Sequence, residues 1–391
     1  MVDNVLLRPN VLLVFGFMAP CRIPLFSELA ARFPFEVWVL ADVRRFREWS
    51  EEVPEGAFQY RMMPNVRIPT GSQDYQVVIN YSLPLALARH RHDAVISVGW
   101  DTPAAVYTAL HARITRTPFV LWAGSTAGEP SWRRTLGRPI TRSVVRTADA
   151  WVAYGSRSKE YLVALGADAD RVFCAYNAVD TTRFAAAGRM ADVERKAFRD
   201  KLGVGDAPLV FYCGQLIDRK GLADLLPAFS RLVAAYPDAA LVVAGTGRRE
   251  AQFRALAEAA GIGDCVKFVG FVAQADLPKY YAAADLLALP SRQEVWGLVI
   301  NEALACGTPV LTTDAVGATP DLMQHGANGY VVPPGSPEAL ADALLRHFSA
   351  GTNRAAMREA ARKSIEPFTI ARSADAFVAA VSCALARHRI G

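Results

Sequence analysis

Apolar residues in the first half of the chain fall into short unbroken runs rather than an alternating pattern. Asn10–Phe15 (NVLLVF), Phe35–Leu40 (FEVWVL), Ala94–Val98 (AVISV), Phe119–Trp122 (FVLW), Ala150–Ala153 (AWVA) and Val172–Ala175 (VFCA) have the length and composition of buried strands. Helical stretches lie between them at Pro24–Arg32, Pro103–Ile114 and Pro139–Thr147. Continuous apolar strands separated by helices predict a parallel sheet covered on both faces.

The second half starts the same scheme afresh. Leu209–Cys213 (LVFYC) reads as a strand and Leu222–Tyr236 as a helix, with Leu222, Leu225, Leu226, Phe229, Leu232 and Val233 recurring at helical spacing. Leu241–Ala244, Val266–Val269, Leu286–Leu289, Val310–Thr312 and Tyr330–Val332 follow as strands. Two βα series, each opening with a strand and a Gly-bearing loop, predict an α/β protein of two Rossmann-like domains facing a cleft. The polar stretch Asp192–Ala207, with Gly203 and Gly205 before Pro208, sets the expected domains at 1–200 and 205–368. The helix within 369–391 lies beyond the second sheet and is free to pack on either domain.

Composition narrows the class. With 391 residues, 52% of them apolar and 21% charged, the chain is long enough for two cores and too apolar for disorder. Its six cysteines are scattered, without a C-x-x-C pair or Cys/His ligand spacing, so they read as buried thiols in a reducing cytoplasm and no metal is expected. The apolar run Val11–Phe15 ends at Gly16, too short for a signal peptide or a membrane span, so the expectation is a soluble or peripheral protein. The net charge of +5 sits wholly in residues 1–200. Between Arg113 and Lys159 nine basic residues face only Glu129 and Asp149. Such a stretch is a solvated helix face or the footprint of an anionic partner, either a phosphate-bearing ligand or the inner face of a membrane. Nothing calls for nucleic acid.

Three segments carry chemistry. In Ser291–Val310, Glu294 and Glu302 stand eight residues apart, flanking a turn and the start of a helix near Gly297, whose free N–H groups and dipole favour an anion. This layout suits a ligand with phosphate in the middle and hydroxylated rings at both ends. In Cys213–Gly221, Arg219 and Lys220 follow a strand and a Gly turn, where a planar fork and a point charge can meet a diphosphate. Gly245-Thr-Gly-Arg-Arg-Glu250 lacks the third Gly of a dinucleotide fingerprint and follows the wrong strand for one. The six histidines show no ligand pairing, and His325 before Gly326 reads as structural.

Together these pieces resemble the family 4 retaining glycosyltransferases of GT-B fold. The residues that carry the resemblance are Gly214–Gly221, Gly245–Gly247, Val266–Gly270, Glu294–Pro309, Gly326–Pro333 and Tyr176-Asn-Ala-Val-Asp180 with Phe184. It implies a transferase, without cofactor or metal, that moves a sugar from a nucleoside diphosphate, UDP first, to a saccharide or lipid-linked acceptor in glycan biosynthesis. By that resemblance Glu302 holds the ribose hydroxyls and Glu294 those of the transferred sugar. Arg219 and Lys220 neutralise the diphosphate beside Gly214, aided by backbone N–H groups of Trp296, Gly297, Leu298 and Val299. Gly270, Phe271 and Val272 pass beside the base, and Gly16 lets the N-terminal backbone approach the phosphate.

Two departures stand out. Gln215 occupies the place where the family commonly has Arg, with Arg219 as the candidate substitute, and Trp122–Glu129 lacks the family's frequent His. The acceptor is expected near Trp100, Asp101, Trp122, Ser125, Glu129 and Trp132, in or near loops after strand ends. A nucleotide-sugar epimerase, a phosphorylase and a catalytically silent binding protein share the same motifs and stay open.

Overall fold

The computed structural model describes residues 8–42, 53–72, 75–128 and 132–389. The chain forms two compact units, residues 1–177 with 370–391, and residues 178–369.

The first unit is built on a seven-stranded parallel sheet. Its strands are β1 (Val11–Phe15), β2 (Phe35–Val39), β3 (Gln59–Met62), β6 (Ala94–Val98), β7 (Phe119–Ala123), β8 (Ala150–Ala153) and β9 (Val172–Cys174), while β4 (Val66–Ser72) and β5 (Tyr75–Ile79) form a separate antiparallel pair. The spatial order is β3-β2-β1-β6-β7-β8-β9, reversing between β1 and β6. Unbroken apolar strands are needed because both faces are covered. β1 sends Val11, Leu13 and Phe15 into one layer with Phe26 and Leu29, and Leu12 and Val14 into the other with Leu83 and Leu87. The helix Ile370–Arg389 returns to this unit, burying Ala374, Phe377, Ala380, Val381 and Ala384 in the first of those layers. The run Arg354–His388 contains a stretch long and apolar enough to cross a membrane, and a third of that stretch is buried in the structure.

The second unit carries a six-stranded parallel sheet of β10 (Leu209–Cys213), β11 (Ala240–Ala244), β12 (Val266–Gly270), β13 (Leu286–Leu289), β14 (Val310–Thr313) and β15 (Gly329–Val332). Its order is β12-β11-β10-β13-β14-β15, so β10 and β13 flank the reversal, where open α/β sheets bind ligands beyond the strand C-termini. One face packs under the helices Leu222–Ala235 and Pro337–Phe348.

The division falls at Asn177/Ala178, not near residues 200–205. The helices Thr181–Gly188 and Asp192–Lys201 belong to the second unit because their buried side chains find partners there. Phe184 meets Tyr281 at 6.0 Å and Phe198 meets Tyr280 at 5.1 Å. Arg195 pairs with Asp285 at 2.8 Å, and the buried Arg199 donates to the Ala283 carbonyl at 2.8 Å. Charge redistributes accordingly: the first unit holds 23 Lys+Arg against 17 Asp+Glu, and the second 20 against 21.

Candidate functional site

At the C-terminal end of β10 the chain turns through Gly214, whose N–H donates to the Ala244 carbonyl at 3.0 Å. The turn stays close to the end of β11 because Gly245 lies on it, and a Cβ there would stand 2.0 Å from the Gly214 carbonyl oxygen. A short 3-10 turn, Asp218–Lys220, then presents the two cations before Gly221. Gly221 has a φ of 74°, and a Cβ on it would stand 1.9 Å from the Pro290 carbonyl oxygen. The cation loop is therefore pressed against the segment that leaves β13.

That segment carries Glu294. The Arg292 N–H donates to the Arg219 carbonyl at 2.8 Å, and the Lys220 ammonium donates to the Glu294 carboxylate. Arg219 Nη1 stands 4.0 Å from the same carboxylate and 3.4 Å from the Gln293 carbonyl. From the other side the loop after β14 clamps the segment: Gly317 N–H donates to the Glu294 carbonyl and Ala318 N–H to that of Trp296, each at 3.0 Å. Beneath it, Asp224 is buried and accepts both arms of the Arg292 guanidinium at 2.7 and 2.6 Å, a bidentate pair. Arg219, Lys220 and Glu294, named from the sequence, are thus brought together.

The helix Leu298–Ala305 starts at Gly297, whose φ of 94° turns the chain into it and which has no side chain to cap the N–H groups of the first turn. The Trp296 ring is buried, with Nε1 donating to Asn301 at 3.0 Å. Gly270 closes β12 with a φ of 73°, and the next side chain, Phe271, is 42% exposed. Val272 is half-buried beside it, and Gln215 is exposed.

Glu302 stands apart from that cluster. It is 5% exposed and accepts a 2.6 Å hydrogen bond from the buried Tyr281 hydroxyl. Burial raises its carboxyl to about 7, although the Tyr281 bond and the Arg183 charge pull it the other way. Cys213 lies within electrostatic reach of both Glu302 and Lys220. Burial pushes its thiol up to about 12, with the Glu302 charge adding to the rise and Lys220 opposing it. Tyr281 is the residue that sequence reasoning missed, since the pair Tyr280-Tyr281 has no spacing that ties it to Glu302. Asp224 was missed likewise, hidden on a helix as an ordinary first-turn acid.

The first unit places the acceptor-side candidates differently from the expectation. Trp122 and Trp100 are 1% and 4% exposed, so both are core rather than sugar platforms. Trp122 stacks on Phe15 at 5.6 Å and meets Phe377 edge-on at 4.9 Å. Asp101 is exposed and Ser125 half-buried, while Glu129 and the side chain of Trp132 lie outside the described residues. Gly16, after β1, has open space where a Cβ would stand. At the same sheet edge the buried Arg22 guanidinium lies 5.0 Å from the Trp122 ring and donates to the Tyr154 hydroxyl at 3.0 Å and to Asn177.

Two parallel-sheet units, one of them with paired cations and a carboxylate at its switch point, define a two-unit α/β architecture with a candidate anion-binding site. Family models match both units, "Glycosyl transferases group 1" over residues 194–364 and "Glycosyltransferase Family 4" over residues 25–183. A D-inositol 3-phosphate glycosyltransferase from Xylanimonas cellulosilytica is 34% identical over 69% of this chain and 63% of its own length. A GDP-mannose-dependent alpha-(1-6)-phosphatidylinositol monomannoside mannosyltransferase from Mycobacterium tuberculosis is 32% identical over 70% of this chain and 71% of its own. The first relatives are matched over half to just under two thirds of their length. Among solved structures, Anabaena Alr3699/HepE in complex with UDP superposes with a TM-score of 0.78 at 22% identity, covering 95% of this chain and 99% of that one. The chain belongs to the family 4 (group 1) glycosyltransferases and has the GT-B fold.

Proposed function

We propose that this chain is a retaining, metal-independent glycosyltransferase that moves a sugar from a nucleoside diphosphate to a saccharide or lipid-linked acceptor. The observation that carries the reading is the meeting of Arg219, Lys220 and Glu294 at the switch point of the second sheet, in a chain of this family. The Lys220 ammonium has three N–H donors, so its bond to Glu294 leaves two for a diphosphate oxygen. Arg219, 44% exposed, lies at the same mouth. As the sugar–phosphate bond breaks, negative charge grows on the leaving diphosphate, and these fixed cations stabilise it most in the transition state. The acceptor hydroxyl attacks from the face the diphosphate leaves, and its proton passes to a diphosphate oxygen, so no protein base is required. Glu294 and Glu302 hold hydroxyls of the sugar and the ribose, and Phe271 stacks on the base.

Uridine is the base proposed first; the name of the mycobacterial relative makes guanosine the alternative. A thermal-shift screen of nucleotide sugars separates them, because a ligand that binds the folded protein raises its Tm. Lys220→Ala and Glu294→Ala should each lower turnover on the identified donor by about 10²–10³-fold with the fold intact. Near-native turnover in both would remove the site assignment. Acceptor-dependent release of nucleoside diphosphate distinguishes transfer from epimerisation, phosphorolysis or silent binding.

The first unit is proposed to touch the anionic inner face of a membrane. On the helix Pro103–Thr115, Val106, Leu110 and Ile114 are 36%, 54% and 72% exposed along one stripe, and on Trp132–Thr147 the exposed Ile140 lies between Arg138 and Arg142. Apolar side chains framed by guanidinium groups suit an interface of acyl chain and headgroup. Co-sedimentation with phosphatidylglycerol vesicles should fall as sodium chloride rises; binding indifferent to salt would contradict the electrostatic part.

A further inference from the structure

The first sheet also has an edge far from the strand C-termini. Beyond the N-terminal ends of β7 and β8 lies a cavity of about 490 Å³, bordered by the ends of the helices Pro103–Thr115, Trp132–Thr147 and Ser156–Leu165 and by Arg387 and His388. Five arginines line it. Two are satisfied: Arg171 stacks on Trp151 at 5.1 Å and bonds Asp168 at 2.9 Å, and Arg387 stands 3.5 Å from Asp149. Asp149 is fully engaged, accepting from the Phe119 N–H at 3.0 Å and meeting His388 Nε2 at 2.9 Å. Arg113, Arg116 and Arg146 have no acceptor among the described residues. Nor do Arg138 and Arg142, which line an adjoining hollow that shares Arg113 and Arg146.

Arginines in a last helical turn complement the helix dipole, and Arg113 and Arg146 do occupy last turns. That role asks each to cap its own helix. Among the described residues neither guanidinium bonds a carbonyl, and both line the same space. Arg146 passes close over Gly166, which has a φ of 110° and on which a Cβ would stand 2.7 Å from Arg146 Nε. The glycine thus leaves room for the guanidinium to lie along the cavity wall. Three unpaired guanidinium groups around one cavity repel one another until an anion with several acceptor oxygens enters, and a phosphate offers such oxygens in a geometry the planar fork matches.

We propose that this cavity is a second anion site that takes a phosphate-ester group, on the sheet edge opposite to Gly16 and Trp122. The phosphate comes either from a soluble phosphorylated molecule or from a lipid headgroup. To keep any donor-site binding out of the measurement, Lys220→Ala protein is titrated calorimetrically with inorganic pyrophosphate and with glycerol 3-phosphate at constant ionic strength. The same protein is sedimented with phosphatidylglycerol/phosphatidylcholine vesicles. Adding Arg113→Ser and Arg146→Ser, both surface positions, should weaken binding at least about tenfold. Lys196→Ser with Lys279→Ser, which removes the same charge from the second unit, should change it little. Binding of the soluble anions that is lost in the arginine pair identifies a free phosphorylated ligand. Binding of vesicles alone, lost in the same way, identifies a headgroup. No binding in either arm, or equal losses in both variant pairs, overturns the site. None of these readouts is activity, so failure of the transferase reading would leave the result standing.

Discussion

At Glu302 a carboxylate that would serve as an acceptor for two hydroxyls is held in a place with little water. Tyr281 supplies one hydrogen bond at 2.6 Å, and burial raises the carboxyl from 4.5 to about 7. The folded chain therefore binds this proton more tightly than the unfolded chain between about pH 4.5 and 7, so the contribution of Glu302 to stability falls as pH rises through that window. Glu302→Gln keeps an acceptor for Tyr281 and removes the buried charge. Its stability in urea denaturation should exceed that of the parent by about 1–3 kcal/mol at pH 8 and by almost nothing at pH 4.5. The same difference at both pH values would show that Glu302 does not titrate this way. In the donor reading, affinity for the nucleoside diphosphate should rise from pH 6 to pH 8 in the parent and stay flat in the variant. Sequence alone located Glu302, but not its surroundings. Spacing states how far apart two carboxylates lie along the chain, whereas burial depends on Tyr281, brought to Glu302 by a different helix.

At the scale of the element, the strands were the most legible part. Ala94–Val98, Ala150–Ala153, Leu209–Cys213 and Leu286–Leu289 match their expected bounds, because a strand buried on both faces must be apolar throughout. What escaped was the half that water sees. β3 (QYRM) is exposed along its whole length, and β4 holds Pro69 and Gly71, which read as loop residues. The helix Trp132–Thr147 starts seven residues before Pro139, which reads from the sequence as a helix start. The loops that build the site were legible as glycines, though the pressure on each was not. Gly221 shows why a glycine is required at its position: both its φ and the Pro290 carbonyl exclude a side chain. Gly221→Ala should destabilise the chain by about 1–3 kcal/mol and pull Arg219 and Lys220 away from Glu294. Donor binding should then weaken more than the Tm change alone explains, as calorimetric titration of the variant below its Tm would show.

Over the whole molecule, the charge asymmetry gains a sharper address. The excess of basic residues belongs to the unit made from residues 1–177 and 370–391, and the unit of residues 178–369 is close to neutral. In the proposed reading, orientation toward anionic surfaces is thereby separated from recognition of the diphosphate, which would rest on Arg219 and Lys220 locally. The helix Ile370–Arg389 is part of the first unit in every energetic sense, with Phe377 and Val381 inside its core. Truncation after Thr369 should expose that layer, seen as increased binding of an apolar dye and a lowered Tm. Unchanged dye binding would mean that the sheet face is covered without it.

The path of the chain through its two units sets an order of events during synthesis. Residues 178–369 form an uninterrupted segment that can close its sheet while later codons are still being read. The first-made unit must wait, with one apolar face uncovered, until residues 370–389 leave the ribosome tunnel. Of the two units, the one begun first is thus completed after the other, and it is during this interval that a nascent-chain chaperone would be most needed. A premature stop codon in this helix would damage the first unit while leaving the unit of residues 178–369, already folded, intact.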